Sequence, residues 1–172
     1  LTEWITAGAP YAPPLPLSSE YSERVKSWET FLNGDGLKEQ LVSRYLYEHW
    51  YLAHFYFEDL PRGEYFEMVR SSTPPGSPIK IIPTVRPYDD PGVPRAYYRL
   101  RRVEETIVTK THMPYALSPA RMRWVRKLFL EPEYEVTRLP SYDAHVASNP
   151  FVTFRQLPVR ARYRLMLEEA QY

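Results

Sequence analysis

Residues 44–57 read RYLYEHWYLAHFYF. The stretch holds seven aromatic rings, two histidines and one glutamate, with almost no small polar residue between them. A surface helix keeps one face polar, whereas this run is apolar nearly all round, the pattern of a helix buried on most sides. It is too short for a membrane span, which needs about 20 apolar residues, and Arg44, Glu48, His49 and His54 interrupt it. The stretch is therefore expected to form either the centre of a core or the floor of an apolar pocket.

The rest of the composition limits the possible classes. A chain of 172 residues fits one domain with a substantial core. A formal net charge of +1 gives no field to attract a polyanion. Arginines cluster at Arg95, Arg99, Arg101 and Arg102 and again at Arg160, Arg162 and Arg164, but acids nearly balance them and no RNP-type aromatic signature is present. Nucleic acid is not an expected partner. The absence of cysteine excludes disulfides, thiolate metal sites and thiol chemistry. Eighteen prolines stand against six glycines, roughly twice the usual proline share, which predicts short elements joined by stiff, extended connectors.

Working outward, Asp35 is expected to cap an aromatic helix from about Leu37 to Phe57, after the Asn33–Gly36 break. Before it, residues 9–17 (APYAPPLPL) form a proline-rich connector. Ser18 or Ser19 caps a helix to about Leu32 with Tyr21, Val25, Trp28 and Leu32 on one face. After Pro61, alternation predicts strands at Glu64–Ser71, Ile79–Arg86, Ala96–Val103 and Thr106–Met113, the last two as a hairpin over Glu104-Glu105. Ser118-Pro119 opens a helix to about Leu130, Asn149-Pro150 repeats the device, and Pro158 starts the last helix. The expected class is α+β: helices packed on a small, mostly antiparallel sheet, with long proline-rich connectors.

Several residues are candidates for chemistry. His49 and His54, five apart on one helix, would lie roughly 140° apart and could not share a metal. Either could line a cavity, or be a satisfied core histidine. Glu48 is expected to pair with Arg44 one turn earlier. The segment Arg86-Pro87-Tyr88-Asp89-Asp90-Pro91-Gly92 is rigid, carries both charge signs and follows a predicted strand, as a binding loop would. Its two carboxylates fall short of a calcium shell. A structural turn held by an Arg86–Asp pair is the alternative. His112 and Met113 are possible iron ligands, but neighbours on a strand face opposite ways, so at most one could serve. No Gly-rich phosphate loop, G-x-S-x-G elbow or H-E-x-x-H is present.

Five phrases carry a resemblance: residues 31–57 (FLNGDGLKEQLVSRYLYEHWYLAHFYF), 69–79 (VRSSTPPGSPI), 84–93 (TVRPYDDPGV), 97–117 (YYRLRRVEETIVTKTHMPYAL) and 139–154 (LPSYDAHVASNPFVTF). In this order they resemble the bacterial fatty acid cis/trans isomerase family across nearly the whole chain. The resemblance implies a periplasmic haem enzyme that converts cis double bonds of unsaturated phospholipid acyl chains to trans. That change stiffens the membrane under solvent or heat stress, without ATP or a soluble electron donor. It also implies a c-type haem on C-x-x-C-H. This chain departs from the pattern, because without cysteine it cannot attach haem covalently. The chain does not begin with methionine, and it reads as an internal segment. Residues 1–17 would be the tail of an upstream haem region plus linker, and 18–172 a globular part.

Rotation about a carbon–carbon double bond requires temporary loss of its π character. A haem can take part in such redox chemistry while the protein positions the substrate. The residues expected to face substrate or haem are His49, Trp50, Tyr51, His54, Phe55, His112, Met113 and Tyr115, with Arg86, Tyr88, Asp89 and Asp90 as a second candidate loop. The leading expectation is an apolar acyl pocket or scaffold for the isomerase. The alternatives are a non-catalytic module that docks on a lipid surface or a partner, and a purely structural domain.

Overall fold

In the computed structural model, which describes residues 1–9, 15–61, 63–105, 107 and 112–170, helices α1 (Thr2–Thr6), α2 (Ser19–Leu32) and α3 (Leu37–His49) come first. They are followed by strands β1 (His54–Phe57), β2 (Phe66–Ser71), β3 (Tyr97–Arg102) and β4 (Pro114–Leu117). Helices α4 (Pro119–Phe129), α5 (Ala144–Ala147), α6 (Pro150–Thr153) and α7 (Val159–Glu169) close the chain. The sheet order is β3-β2-β1-β4. Its two β2 pairings are antiparallel and β1–β4 is parallel. The fold is α+β, as the sequence implies.

The helix starts follow their capping chemistry. Ser18 accepts from the Tyr21 N–H, Ser118 from that of Arg121 with Pro119 behind it, and Asn149 from that of Phe151. Two helix expectations are corrected. Asp35 does not cap α3; the N-cap is Gly36, and the Asp35 carboxylate lies 2.6 Å from Arg95 Nη1. Gly34 suits this turn because a Cβ there would fall 2.7 Å from Glu39 Cβ.

The aromatic stretch, moreover, is not one helix. It stays helical to His49, turns through Trp50–Ala53, and continues as β1. The helical half is buried all round, since every residue from Leu41 to Tyr47 is buried. Beyond it, HFYF alternates half-buried and buried, and aromatic side chains suit a pleated surface. The deciding partner is distant in sequence. β1 pairs in parallel with β4, and the His54 N–H donates to the Met113 carbonyl at 2.8 Å.

Ile79–Arg86 alternates yet forms no strand, only an isolated bridge between Ile81 and Ser71. Five prolines from 74 to 87 remove ladder donors there. Of the hairpin expected over Glu104-Glu105, one arm lies within the described residues. Its first arm is β3, whereas the second falls largely on 106 and 108–111, outside the described residues. The next strand among the described residues, β4, lies at the opposite edge of the sheet.

One sheet face carries Phe55, Phe57, Phe66, Met68, Leu100, Tyr115 and Leu117, all buried. α2 covers it through Tyr21, 6.1 Å from Phe57, and through Trp28, 6.4 Å from Trp50. α2 also seals the β3 edge. Asn33 accepts from the Tyr98 N–H and donates to the Tyr98 carbonyl, and Glu29 accepts from the Leu100 N–H. An edge strand left bare would template pairing with another chain; here side chains occupy its donors and acceptor.

Candidate functional site

The break between α3 and β1 builds a cleft. Trp50, Tyr51, Leu52 and Ala53 form one wall, and Met113, Pro114 and Tyr115, entering β4, form the other. Glu48 and His49 close the α3 end, Glu169 comes from α7, and Pro87 from the proline-braced loop. The volume is about 370 Å³, within the usual range for small-ligand sites.

The structure divides the candidate residues. His49, Trp50, Tyr51, Met113 and Tyr115 come together at the cleft. Phe55 does not line it; fully buried, it packs beneath against Trp50 and Tyr115, each 5.8 Å away. His54 and His112 lie on the other sheet face, with their Nδ1 atoms 3.0 Å apart. The Tyr65 ring stacks edge-on to His112 at 4.8 Å. One imidazole must donate and the other accept across that distance, so both cannot be protonated at Nδ1. Burial lowers the His54 pKa, and the facing His112 adds to the effect. The helical spacing argument for His49 and His54 lapses, since a turn and a strand boundary separate them. His112 and Met113 do part company, one toward His54 and the other into the cleft.

Polar groups also border the cleft. The Tyr115 hydroxyl donates to Glu169 Oε1, and Arg121 Nη1 lies 3.6 Å from the same oxygen. The buried Trp50 indole N–H closes no hydrogen bond of normal geometry, yet it acts on this carboxylate in the same sense as Tyr115. Burial wins over these helpers and raises the Glu169 pKa. Glu48 is likewise raised, by burial first, against the pull of Arg44. The expected Arg44–Glu48 pair is present at 2.8 Å, and Arg44 also stacks on Tyr142 and donates to the Pro140 carbonyl. His49 donates from Nδ1 to the Tyr45 carbonyl at 2.9 Å, because a carbonyl can only accept. Its Nε2 in the neutral ring therefore carries the lone pair.

Burial lowers the His49 pKa from 6.5. The unfolded chain thus takes up this proton at a higher pH than the folded one. The stability from the neutral ring is complete above pH 6.5 and is lost as pH falls below it. Replacing His49 with Gln is expected to shift the stability difference toward the variant as pH drops through that window. Denaturant midpoints for both proteins across the pH series check it; a constant difference would mean that His49 does not titrate differently on folding.

The second candidate loop is held differently from expectation. Among the described residues no ion pair joins Arg86 to Asp89 or Asp90. Asp89 accepts the backbone N–H of Arg86, Asp90 accepts that of Gly92, and the exposed Arg86 guanidinium lies 5.9 Å from the Tyr88 ring. The anchor is Arg70 of β2, buried, which donates to the Asp89 carbonyl and to Thr84 Oγ1 at 2.8 Å each. Arg70 reaches the loop from an inward strand position, on partners 14 and 19 residues away, so the local sequence carries no sign of it. Of this loop, Pro87 alone reaches the cleft. Glu169 was equally invisible, arriving from the last helix 54 residues after Tyr115.

The arrangement can take an apolar chain along the aromatic wall with a polar end group at Glu169, Tyr115 and His49. No curated protein and no solved structure matches the chain. A family profile described as fatty acid cis/trans isomerase (CTI) matches residues 1–172. The match spans the same phrases that carry the resemblance, and the chain belongs to the fatty acid cis/trans isomerase family, with the isomerase activity that the family implies.

Proposed function

We propose that the cleft between the Trp50–Ala53 turn and the start of β4 is the acyl pocket of this isomerase. In it the unsaturated acyl chain of a membrane phospholipid would lie while its cis double bond becomes trans, in the periplasm. The observation that carries the reading is the cleft itself. It measures about 370 Å³, and Trp50, Tyr51, Leu52, Met113 and Pro114 give it an aromatic and aliphatic wall beside the Tyr115–Glu169 pair. An acyl chain has no hydrogen-bonding capacity, so a wall of Trp50, Tyr51, Leu52 and Met113 holds it by burial, and shape fixes where the double bond rests.

The haem that the resemblance implies does not fit these residues as a covalent group. Cysteine is absent from the chain, so neither thioether bond of a c-type attachment can form. This chain, expressed under haem-maturation conditions, is expected to be colourless. A stoichiometric covalent Soret band would refute that.

Tyr51 tests the pocket. Its half-buried ring borders open space, so Tyr51→Ala is expected to cost about 1 kcal/mol, well below a core truncation. In the intact enzyme it should alter chain-length or double-bond-position preference. Urea unfolding and product analysis on the same variant decide. Unchanged selectivity would place the acyl site elsewhere.

A further inference from the structure

The last helix turns an apolar stripe outward. Val159, Tyr163, Met166 and Leu167 stand at i, i+4, i+7 and i+8 on α7, one continuous face, and are 46–75% exposed. Ala161 and Leu165 of the same helix are buried on its opposite side. Phe151 of α6, 64% exposed, extends the stripe, sharing a small groove with Tyr163 and Met166. Arg160 and Arg164 run along one flank and Arg162 along the other. Among the described residues none of the three has an ion-pair partner.

We propose that this face of α6 and α7 docks on the surface of a phospholipid bilayer, with the apolar side chains at the acyl boundary and the arginines on lipid phosphates. Charge selects the occupant. A second copy seated on the stripe would bring net positive flanks together, because α7 sets three arginines against Glu168, its Glu169 being turned to Tyr115 and Arg121. A phosphate surface supplies the missing charge, and an apolar stripe between basic flanks is the pattern of a helix lying in the interface. No helix among the described residues is long and apolar enough to cross a membrane, so contact here is from the surface. Position adds a second argument. His49 lines both the groove under Phe151 and the cleft, and Glu169 of α7 is part of the cleft wall. Docking on this face would bring the cleft close to the lipid. The proposal rests on the acyl-pocket reading for its purpose, though not for its binding.

The test is flotation of the protein with vesicles of phosphatidylethanolamine and phosphatidylglycerol. The wild-type protein should float. A triple variant, Tyr163→Ser, Met166→Ser and Leu167→Ser, removes only exposed side chains and should bind at least about tenfold more weakly, the effect of losing one or two buried apolar groups. Arg160→Glu with Arg164→Glu should also weaken binding and reduce its sensitivity to salt. Wild-type protein that does not float, or a triple variant that floats equally well, overturns the proposal. So does a wild-type dimer in sedimentation that the triple variant dissolves, which would assign the face to a second copy. A soluble fluorescent fatty acid, which needs no surface, reads the cleft separately. Its binding should survive in the triple variant, and its absence from the wild-type protein would count against the acyl pocket while leaving flotation to judge the face.

Discussion

Glu29→Ala is expected to lower the unfolding free energy by about 3–5 kcal/mol, the scale for removing one member of a buried ion pair. Glu29 and Arg99 are 5% and 7% exposed, with Oε2 and Nε 2.9 Å apart. That N–H is not aligned as a hydrogen bond, so the attraction is chiefly one of charge. Truncation would strand the guanidinium without a counter-charge and deprive the Leu100 N–H of its acceptor. Arg99 also donates to the carbonyls of Thr73, Pro74 and Ser77, so the β2–β3 connection would loosen with it. Glu29→Gln keeps an acceptor for Leu100 and should lose less. Urea titrations of both variants provide the measurement. A loss below about 1 kcal/mol for the alanine would put the pair in the class of screened surface bridges.

The second large effect is at Phe55, where alanine is expected to cost about 3–5 kcal/mol, against about 1 kcal/mol or less for His54→Ala next to it. Phe55 is fully buried beneath the cleft, between Trp50 and Tyr115. His54 is half-buried on the other face. A strand puts successive side chains on opposite faces, so two adjacent positions with opposite costs report a strand, and its register with them. If the costs came out reversed, β1 would be shifted by one residue and Tyr115 would lose its place in the cleft. Similar heavy losses at both positions would favour a continuous buried helix through 57.

That contrast bears on what could be read in advance. Between Trp50 and His54 nothing in the sequence marks a boundary: there is no glycine, proline or capping residue, Leu52 and Ala53 are good helix formers, and the others are aromatic side chains. Such residues have middling helix preference and good strand preference, so local energy leaves the choice nearly open. The strand partner settles it, and that partner is Pro114–Leu117, beyond two other strands. The same holds for the site. Trp50, Tyr51, Met113 and Tyr115 stood out by chemistry, but a cleft is a space between elements, and periodicity reports burial without voids. Glu169 and Arg70 carried no local signal, because each acts where tertiary packing delivers it.

The sequence by itself determined the family, the α+β class, the helix starts at Ser18, Ser118-Pro119 and Asn149-Pro150, and, of the expected buried stretch 44–57, the burial of 44–47. These rest on short-range chemistry, in which a capping oxygen meets an N–H two or three residues away or apolar residues repeat with the helix period. Tertiary structure alone decided where the aromatic stretch turns from helix to strand, which face each ring takes, and that α7 closes the cleft with one side while turning an apolar stripe outward with another. Each of those outcomes depends on partners tens of residues away, whose approach no local pattern encodes.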